Sequence, residues 1–495
     1  MKKIVFLCSL FLLVNFSIKI QADSANLHKN NKYETGLDAL RADSLMQGVT
    51  IAFSLKDYNT GKTIFEHSAH RKMTSASVMK VVTTSSALKL LRDTAHFRTR
   101  IAYDGNIDSL GVLHGNIYII GGGDPTLGSR FVYSNQTAFM SEWLRAIRSA
   151  GIRRVAGGVI SDASIFGVES VSRKLVLEDI GNYYAAGTYG INVFDNEYKL
   201  VISSKEPGSV PKIVRTEPDI EGLKFHNYLR TAAVKKDSVY INGMPFENVR
   251  WLRGVVPAYA VDLKLRGDIP DPPLFLAQFL TRYLRSSGIT IDASATTVRI
   301  LKERSNMSAL PRTKKKIIYT SISPNIASLV KSTNYFSINQ YADLLCKKIG
   351  LLDNEDDFMN SADRGVTVIK KYWSGLGVDM SGLEMYDGSG LSATSKITAD
   401  ILCDILYRMK DDRAFVSSLP VAGQTGTLVS FLNKTPLKGH LRAKSGSMSG
   451  VKCYAGYVKS PRNGRRYIFS VLVNGHSCHG KEIMKLLEKY FVKIF

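Results

Sequence analysis

The chain has 495 residues, too many for one hydrophobic core, so two or three domains are expected. A hydrophobic content of 44%, only 14 prolines and no repeated or low-complexity segments exclude disordered and fibrous classes. The formal charge of +23 favours anionic surroundings.

At the N-terminus, Lys2-Lys3 precede an apolar run from Ile4 to Ile18, and Ile20-Gln21-Ala22 ends in a small residue. This predicts a secretory signal peptide over residues 1–22 and a periplasmic or otherwise extracytoplasmic location, reached across the inner membrane. The run is shorter than the roughly 20 residues that span a bilayer, which argues against a retained anchor helix. Cys8 lies inside it, without the small preceding residue that a lipid-modified cysteine requires. The basic residues are dispersed, densest at Lys314-Lys315-Lys316, with no aromatic-basic recognition motif beside them. Peripheral contact with an anionic wall or membrane surface therefore fits an exported chain better than nucleic acid, and no nucleic-acid partner is expected. Beyond the signal stand Cys346, Cys403, Cys453 and Cys478. Export permits disulfides in any of three pairings, and buried free thiols are the equal alternative. None has metal-site spacing, so neither metal nor cofactor is expected.

Gly48 to His67 alternates as two strands, Val49 to Phe53 and Thr63 to Phe65, around the turn Asn59-Thr60-Gly61. From Ser77 the period changes: Val78, Val81, Val82, Leu88 and Leu91 recur at helical spacing, so Ser77 opens a helix and Lys80 lies one turn on. Residues i and i+3 share a helix face with Cβ atoms ~5–6 Å apart, within reach of an amine for a hydroxyl. Gly115 to Ile120 reads as a strand ending in the turn Gly121-Gly122-Gly123-Asp124-Pro125. No Lys-Ser/Thr follows these glycines, so the turn is not a phosphate loop. The long stretch from the Ser77 helix to the region of Ser323 mixes strand and helix patterns and reads as inserted domains. Near the C-terminus, Ala443 to Val458 and Tyr467 to Val473 read as two strands joined by the polar loop Ser460-Pro461-Arg462-Asn463-Gly464. A final helix, Lys481 to Phe495, carries Met484, Leu487 and Tyr490 or Phe491 on one side and is expected to pack on a sheet.

Three short stretches combine into one chemistry: Ser77-Val78-Met79-Lys80, Ser337-Ile338-Asn339 and Lys444-Ser445-Gly446. Singly they are weak. Ser-x-x-Lys also begins at Ser86, Ser209, Ser328 and Ser449, and Ser-x-Asn at Ser24, Ser323 and Ser332. Acyl transfer by serine needs an activated hydroxyl, an oxyanion site and a proton for the leaving group. In this reading Ser77 attacks and Lys80, neutral through desolvation and a nearby cation, takes its proton. Ser337 passes the proton to the departing amine, Asn339 orients Lys80 and the substrate amide, and Lys444 anchors a carboxylate. The backbone N–H groups of Ser77 and Ser447 form the oxyanion hole, with Ser447 on an exposed sheet edge where an extended peptide can add as a strand.

These motifs, with Gly121 to Leu127, Asp179 to Tyr184, Asp387-Gly388-Ser389-Gly390-Leu391-Ser392, Leu419 to Gly423 and Gly426-Thr427-Leu428, resemble the D-alanyl-D-alanine carboxypeptidase/endopeptidase family of low-molecular-mass class C penicillin-binding proteins. The resemblance runs from about Leu40 to the C-terminus and selects Ser337 over Ser332, since Asn334, Ser337, Asn339, Tyr341 and Ala342 follow the family's second motif. It implies an α/β (α+β) fold: a penicillin-binding, serine β-lactamase-like domain with a five-stranded antiparallel sheet flanked by helices, holding two nested inserted domains. The implied boundaries are 23–92 and 304–495 for the catalytic domain, 93–116 and 198–303 for the first insertion, and 117–197 for the second. It also implies that Asp179 and Tyr184, with Met448 and Ser449, read the third residue of the substrate peptide. The implied substrate is a peptidoglycan peptide and the implied inhibitors are β-lactams. The chain departs from the family at Ser445, where threonine is usual, at Ser75-Ala76, where no proline precedes the nucleophile, and at Ala393, where arginine is frequent. Two rival readings are a β-lactamase or esterase of the same fold, and a catalytically silent wall-binding penicillin sensor. The first lacks a motif assigning a deacylating water, and the second is opposed by the complete set of reactive residues.

Overall fold

The computed structural model describes residues 32–307, 313–353 and 359–495. The expected signal peptide, with Cys8, lies outside the described residues. The chain divides into two compact units, the first Met1–Val78, Ile397–Asp411 and Leu419–Phe495, the second Met79–Lys396 and Asp412–Ser418.

The first unit is built on the expected five-stranded antiparallel sheet. Its order is Thr63–His67, Thr50–Asp57, Arg466–Asn474, Val451–Lys459 and Leu441–Met448. Alternation along the strands sorts the side chains onto two faces. One face presents Phe53, Leu55, Tyr454, Val458, Phe469 and Val471, and it is covered by Tyr490, Phe491 and Ile494 of the C-terminal helix Gly480–Ile494 and by Tyr33 and Leu37 of helix 32–41. The other face carries Ser54, Lys56 and Tyr457 against the helix Ala399–Met409. There Lys56 pairs with Asp400 and Asp404, the Tyr457 hydroxyl donates to the Leu406 carbonyl at 2.8 Å, and the Cys403 thiol donates to the Ser54 carbonyl at 3.4 Å. The final helix thus packs on a sheet as expected.

One strand expectation fails. The stretch Ala443 to Val458 is two strands, Leu441–Met448 and Val451–Lys459, joined through Ser449 and Gly450. Gly450 turns the chain at φ +68°, and apolar alternation on both sides hid that two-residue turn.

In the second unit, residues Met79 to Leu88 of the helix Met79–Leu91 are buried. Thr84, Ser85 and Ser86 satisfy their hydroxyls on the carbonyls of Lys80, Val81 and Val82, and Thr83 donates to Gly388. Around it pack the helices Ile326–Phe336, Asn339–Gly350 and Ser361–Gly375. A further core gathers Trp143, Ile147, Phe275, Leu276 and Leu280 against four β-sheets. The glycine turn belongs there: a Cβ on Gly121 would stand 2.1 Å from the Gly190 carbonyl and one on Gly122 2.2 Å from that of Arg98. Its glycines allow close backbone approach.

A buried ion pair joins two of these sheets. Arg250, fully enclosed, donates Nε and Nη2 to Asp268 Oδ1 at 3.1 and 2.8 Å. The neighbouring Gly267 bridges to Asn182, which fixes the segment carrying Asp179 and Tyr184. Cys346, Cys403, Cys453 and Cys478 are free thiols, the first three buried. Among the described residues no helix is long and apolar enough to cross a membrane.

Candidate active site

Ser77 lies in the 3-10 turn Ala76–Val78, which runs directly into the helix Met79–Leu91. Ala76 holds φ at +43°, a left-handed conformation that costs roughly 1–2 kcal/mol outside glycine. The edge strand Leu441–Met448 packs on this turn. A Cβ on Gly446 would stand 2.9 Å from the Ser75 carbonyl oxygen, 3.0 Å from Val78 N and 3.1 Å from Ser77 N, so glycine is what permits the approach. By strand alternation Lys444 leaves the same face as Gly446. It is 0% exposed and donates to the Ser445 carbonyl at 2.7 Å. Ser445 donates to Thr427 Oγ1 at 2.8 Å, and the exposed Ser447 hydroxyl accepts from Lys452 at 2.8 Å. Met448 ends the strand, and Ser449 stands exposed in the hairpin turn. The first unit therefore brings Ser77 together with the Lys444-Ser445-Gly446 strand.

The second unit brings together Lys80, Asn339, Tyr184 and Asp179. Lys80 is also 0% exposed, and its amine donates to Asn339 Oδ1 at 2.6 Å and to the Ser389 carbonyl at 2.8 Å. Asn339 Nδ2 donates to the Tyr184 carbonyl at 2.8 Å, and the Tyr184 hydroxyl donates to Asp179 Oδ1 at 2.9 Å. Burial pushes the Lys80 amine below the ordinary lysine range, against the upward pull of Asp343 and Asp387. Burial likewise raises the Asp343, Asp387 and Asp179 carboxyls. Ser337 closes the helix Ile326–Phe336 in the left-handed conformation at φ +59°, two residues before Asn339 opens the helix Asn339–Gly350.

Sequence reasoning did not single out Asp343 or Lys347. They follow Asn339 at successive intervals of four on one helix face, a periodicity that marks them once the helix is known. Lys347 donates to the carbonyls of Glu169 and Thr188 at 2.7 and 2.8 Å, and burial lowers its amine to about 8. A cavity of about 610 Å³ is lined by Asp343, Lys347, Asp387 and Ser389 together with segments 169–175 and 385–391. The Ser389 carbonyl is a backbone ligand and left no side-chain signal.

Two of the competing motifs serve structure. Lys89 pairs with Asp412 at 2.8 Å and Ser86 accepts from the Trp373 indole at 2.8 Å. Asn334, of the Ser332 triplet, is buried between Thr84 and Ser418.

The family described as D-Ala-D-Ala carboxypeptidase 3 (S13) matches residues 33–492. The chain belongs to this family. It is 26% identical over 458 residues to a D-alanyl-D-alanine carboxypeptidase of an Actinomadura species, covering 89% of this chain and 80% of that one. It is 24% identical over 441 residues to D-alanyl-D-alanine carboxypeptidase DacB of Haemophilus influenzae, covering 88% and 87%. The fold is similar to that of penicillin binding protein 4 of H. influenzae, with a TM-score of 0.75 at 22% identity, covering 90% of this chain and 96% of that one. The same protein complexed with a β-lactam gives a TM-score of 0.72. As an S13 member the chain is a serine peptidase with D-Ala-D-Ala carboxypeptidase, penicillin-binding function.

Gly446→Ala is expected to slow acylation by a fluorescent penicillin by roughly 10²-fold, since the added methyl meets backbone of the Ser77 turn and shifts it by a fraction of an ångström. Stopped-flow labelling measures this, and an unchanged rate would show that the turn tolerates displacement.

Proposed function

We propose that Ser77 is the nucleophile of this peptidase and forms an acyl-enzyme with the penultimate D-alanine of peptidoglycan peptides. The observation that carries the reading is Lys80, an amine with 0% exposure that donates to Asn339 Oδ1 and sits three residues after the serine at a helix start. Such an amine is poised to be neutral and to accept a proton.

In acylation, Ser77 Oγ bonds to the carbonyl carbon, its proton passes to Lys80 Nζ, and the backbone N–H groups of Ser77 and Ser447 stabilise the oxyanion. The C–N bond then breaks, and Ser337 Oγ relays the proton held by Lys80 to the departing D-alanine amine. Asn339 orients Lys80, and Lys444 with Ser445 holds the terminal carboxylate. Water adds to the ester carbonyl, giving up a proton to Lys80, and the C–O bond breaks as Lys80 returns that proton to Ser77 Oγ. When the departing amine belongs to a cross-link, the same steps constitute DD-endopeptidase activity. A β-lactam follows the first half, its ring C–N bond opening while the amine stays tethered. We place the enzyme in the periplasm, exported by residues 1–22. Asp179 and Tyr184, with Met448 and Ser449, read the third residue of the peptide, and the Tyr184 hydroxyl already orients the Asp179 carboxylate.

Ser77→Ala should abolish covalent labelling by fluorescent penicillin while the wild-type label persists. Labelling of the variant would transfer the chemistry to another serine, and rapid loss of the wild-type label would favour the β-lactamase reading. Lys80 must be neutral to act, so the acylation rate rises with pH through its depressed pKa. Asp343 holds that pKa up, so Asp343→Asn should move the midpoint of the profile to lower pH. A midpoint that stays in place would separate Asp343 from the base. For Asp179→Asn, kcat/KM should fall roughly 10- to 150-fold on a peptide with a free side-chain amine at its third position, the scale of one charge-assisted hydrogen bond. The N-acetylated peptide should lose far less, and equal losses on both would assign Asp179 to structure alone.

A further inference from the structure

In the second unit, the strands Lys224–Ala232, Val249–Pro257 and Tyr240–Asn242 form a three-stranded sheet. Its inner face is apolar, with Leu229, Ile241, Leu252 and Val256 buried, and Arg250 joins them through its ion pair with Asp268. Along each strand the next residue points outward. Outward-facing His226 and Trp251 are cross-strand partners with ring centroids 4.3 Å apart. The Tyr228 ring lies parallel to Trp251 within 2°, at 5.8 Å. Tyr228 is 54% exposed, Tyr240 51% and Trp251 38%.

Cations are interleaved with these rings. Arg253 is the register partner of both Tyr228 and Tyr240, while Lys224 and Arg230 lie at alternate positions on the neighbouring strand, and all three are exposed. No outward position on the three strands is an acid. The chain thus leaves three large aromatic side chains in water beside three cations with no matching carboxylate on the same face. Exposed aromatic patches of this kind mark interaction sites. Rings held in a stack by their neighbours lose little conformational freedom when a ligand covers them.

We propose that this face binds the glycan strand of peptidoglycan, an anionic polysaccharide through its acidic stem peptides, and holds the enzyme on the polymer that carries its substrate. The ring faces match the C–H faces of pyranose units, and Lys224, Arg230 and Arg253 match the carboxylates. A nucleic acid offers similar ring and charge chemistry. The family's D-Ala-D-Ala substrate, borne on the wall polymer itself, favours the glycan. None of its residues is among those assigned to the chemistry, so it governs action on polymer and leaves action on small peptides alone.

Trp251 supplies its own reporter. The other tryptophans, Trp143 and Trp373, are fully buried, so iodide quenching of the full-length protein reads this face. Titration with soluble peptidoglycan strands, obtained by partial glycan digestion of sacculi, should protect Trp251 from iodide, and the protection should weaken as salt rises. Trp251→Ala and, separately, the double change Arg230→Glu with Arg253→Glu should lower affinity in pull-downs with intact sacculi by up to about tenfold, the scale of one lost aromatic contact. Both should slow release of D-alanine from sacculi and leave kcat/KM on a soluble D-Ala-D-Ala tripeptide unchanged. Wild-type inactivity on the tripeptide would count against the peptidase reading, whereas unaltered sacculus binding in both variants overturns the glycan face. Tight protection by a single-stranded oligonucleotide with none by peptidoglycan strands overturns it in favour of nucleic acid.

Discussion

The burial of one amine organises the second unit. Taking Lys80 out of water costs several kcal/mol unless its charge is compensated or given up. The Asn339 side chain and the Ser389 carbonyl accept its hydrogen bonds, and Asp343 and Asp387 lie near enough to oppose the fall in its pKa. Each partner comes from a different part of the chain, so the helix Met79–Leu91, the helix Asn339–Gly350 and the 385–391 segment must meet around that nitrogen. Asp387 fastens the last of these by accepting from the Gly390 and Ser392 backbone at 2.5 and 2.7 Å. The serines and threonines of the central helix can be buried beside it because they bond back to its own carbonyls. A lysine amine held below its ordinary range is thus a consequence of packing.

In the first unit the governing constraint is distance. The edge strand comes within reach of the Ser77 turn only because position 446 lacks a side chain and Ala76 accepts a left-handed backbone. Strain and close approach at such a point are features that surrounding structure must hold in place. The five-stranded sheet does this through apolar packing on one face and the Lys56 ion pairs on the other. Its last strand stands at the sheet edge, bridged on its outer side by Val421 at Arg442, and among the described residues no strand pairs with that side beside Ser447. The region 179–268 follows the same logic by another route. There the enclosed Arg250–Asp268 pair sets one strand, whose Gly267 bridges to Asn182 and so positions Asp179 and Tyr184. Arg250 points inward and Trp251 outward, so one strand joins this scaffold to the exposed aromatic face.

Much of this was legible in the amino-acid order because it is local. Period two placed strands at Val49 to Phe53 and Thr63 to Phe65, which the structure extends to Thr50–Asp57 and Thr63–His67, period 3.6 placed the Ser77 helix and the C-terminal helix, and the three motifs with their flanking strings placed the chain in its family. Local signals also misled, as where alternation on both sides of Ser449-Gly450 concealed a hairpin. What tertiary structure alone decided is everything that depends on distant residues becoming neighbours. Five serines precede a lysine at the same spacing, yet Lys89 reaches a surface aspartate while Lys80 is enclosed, and burial cannot be read from spacing. Asp343 was one acid among 43 carboxylates until its helix turned it toward Lys80. The aromatic and basic residues of the outer sheet are scattered over about thirty positions, and sequence showed no recognition motif because strand pairing, not succession, sets them side by side.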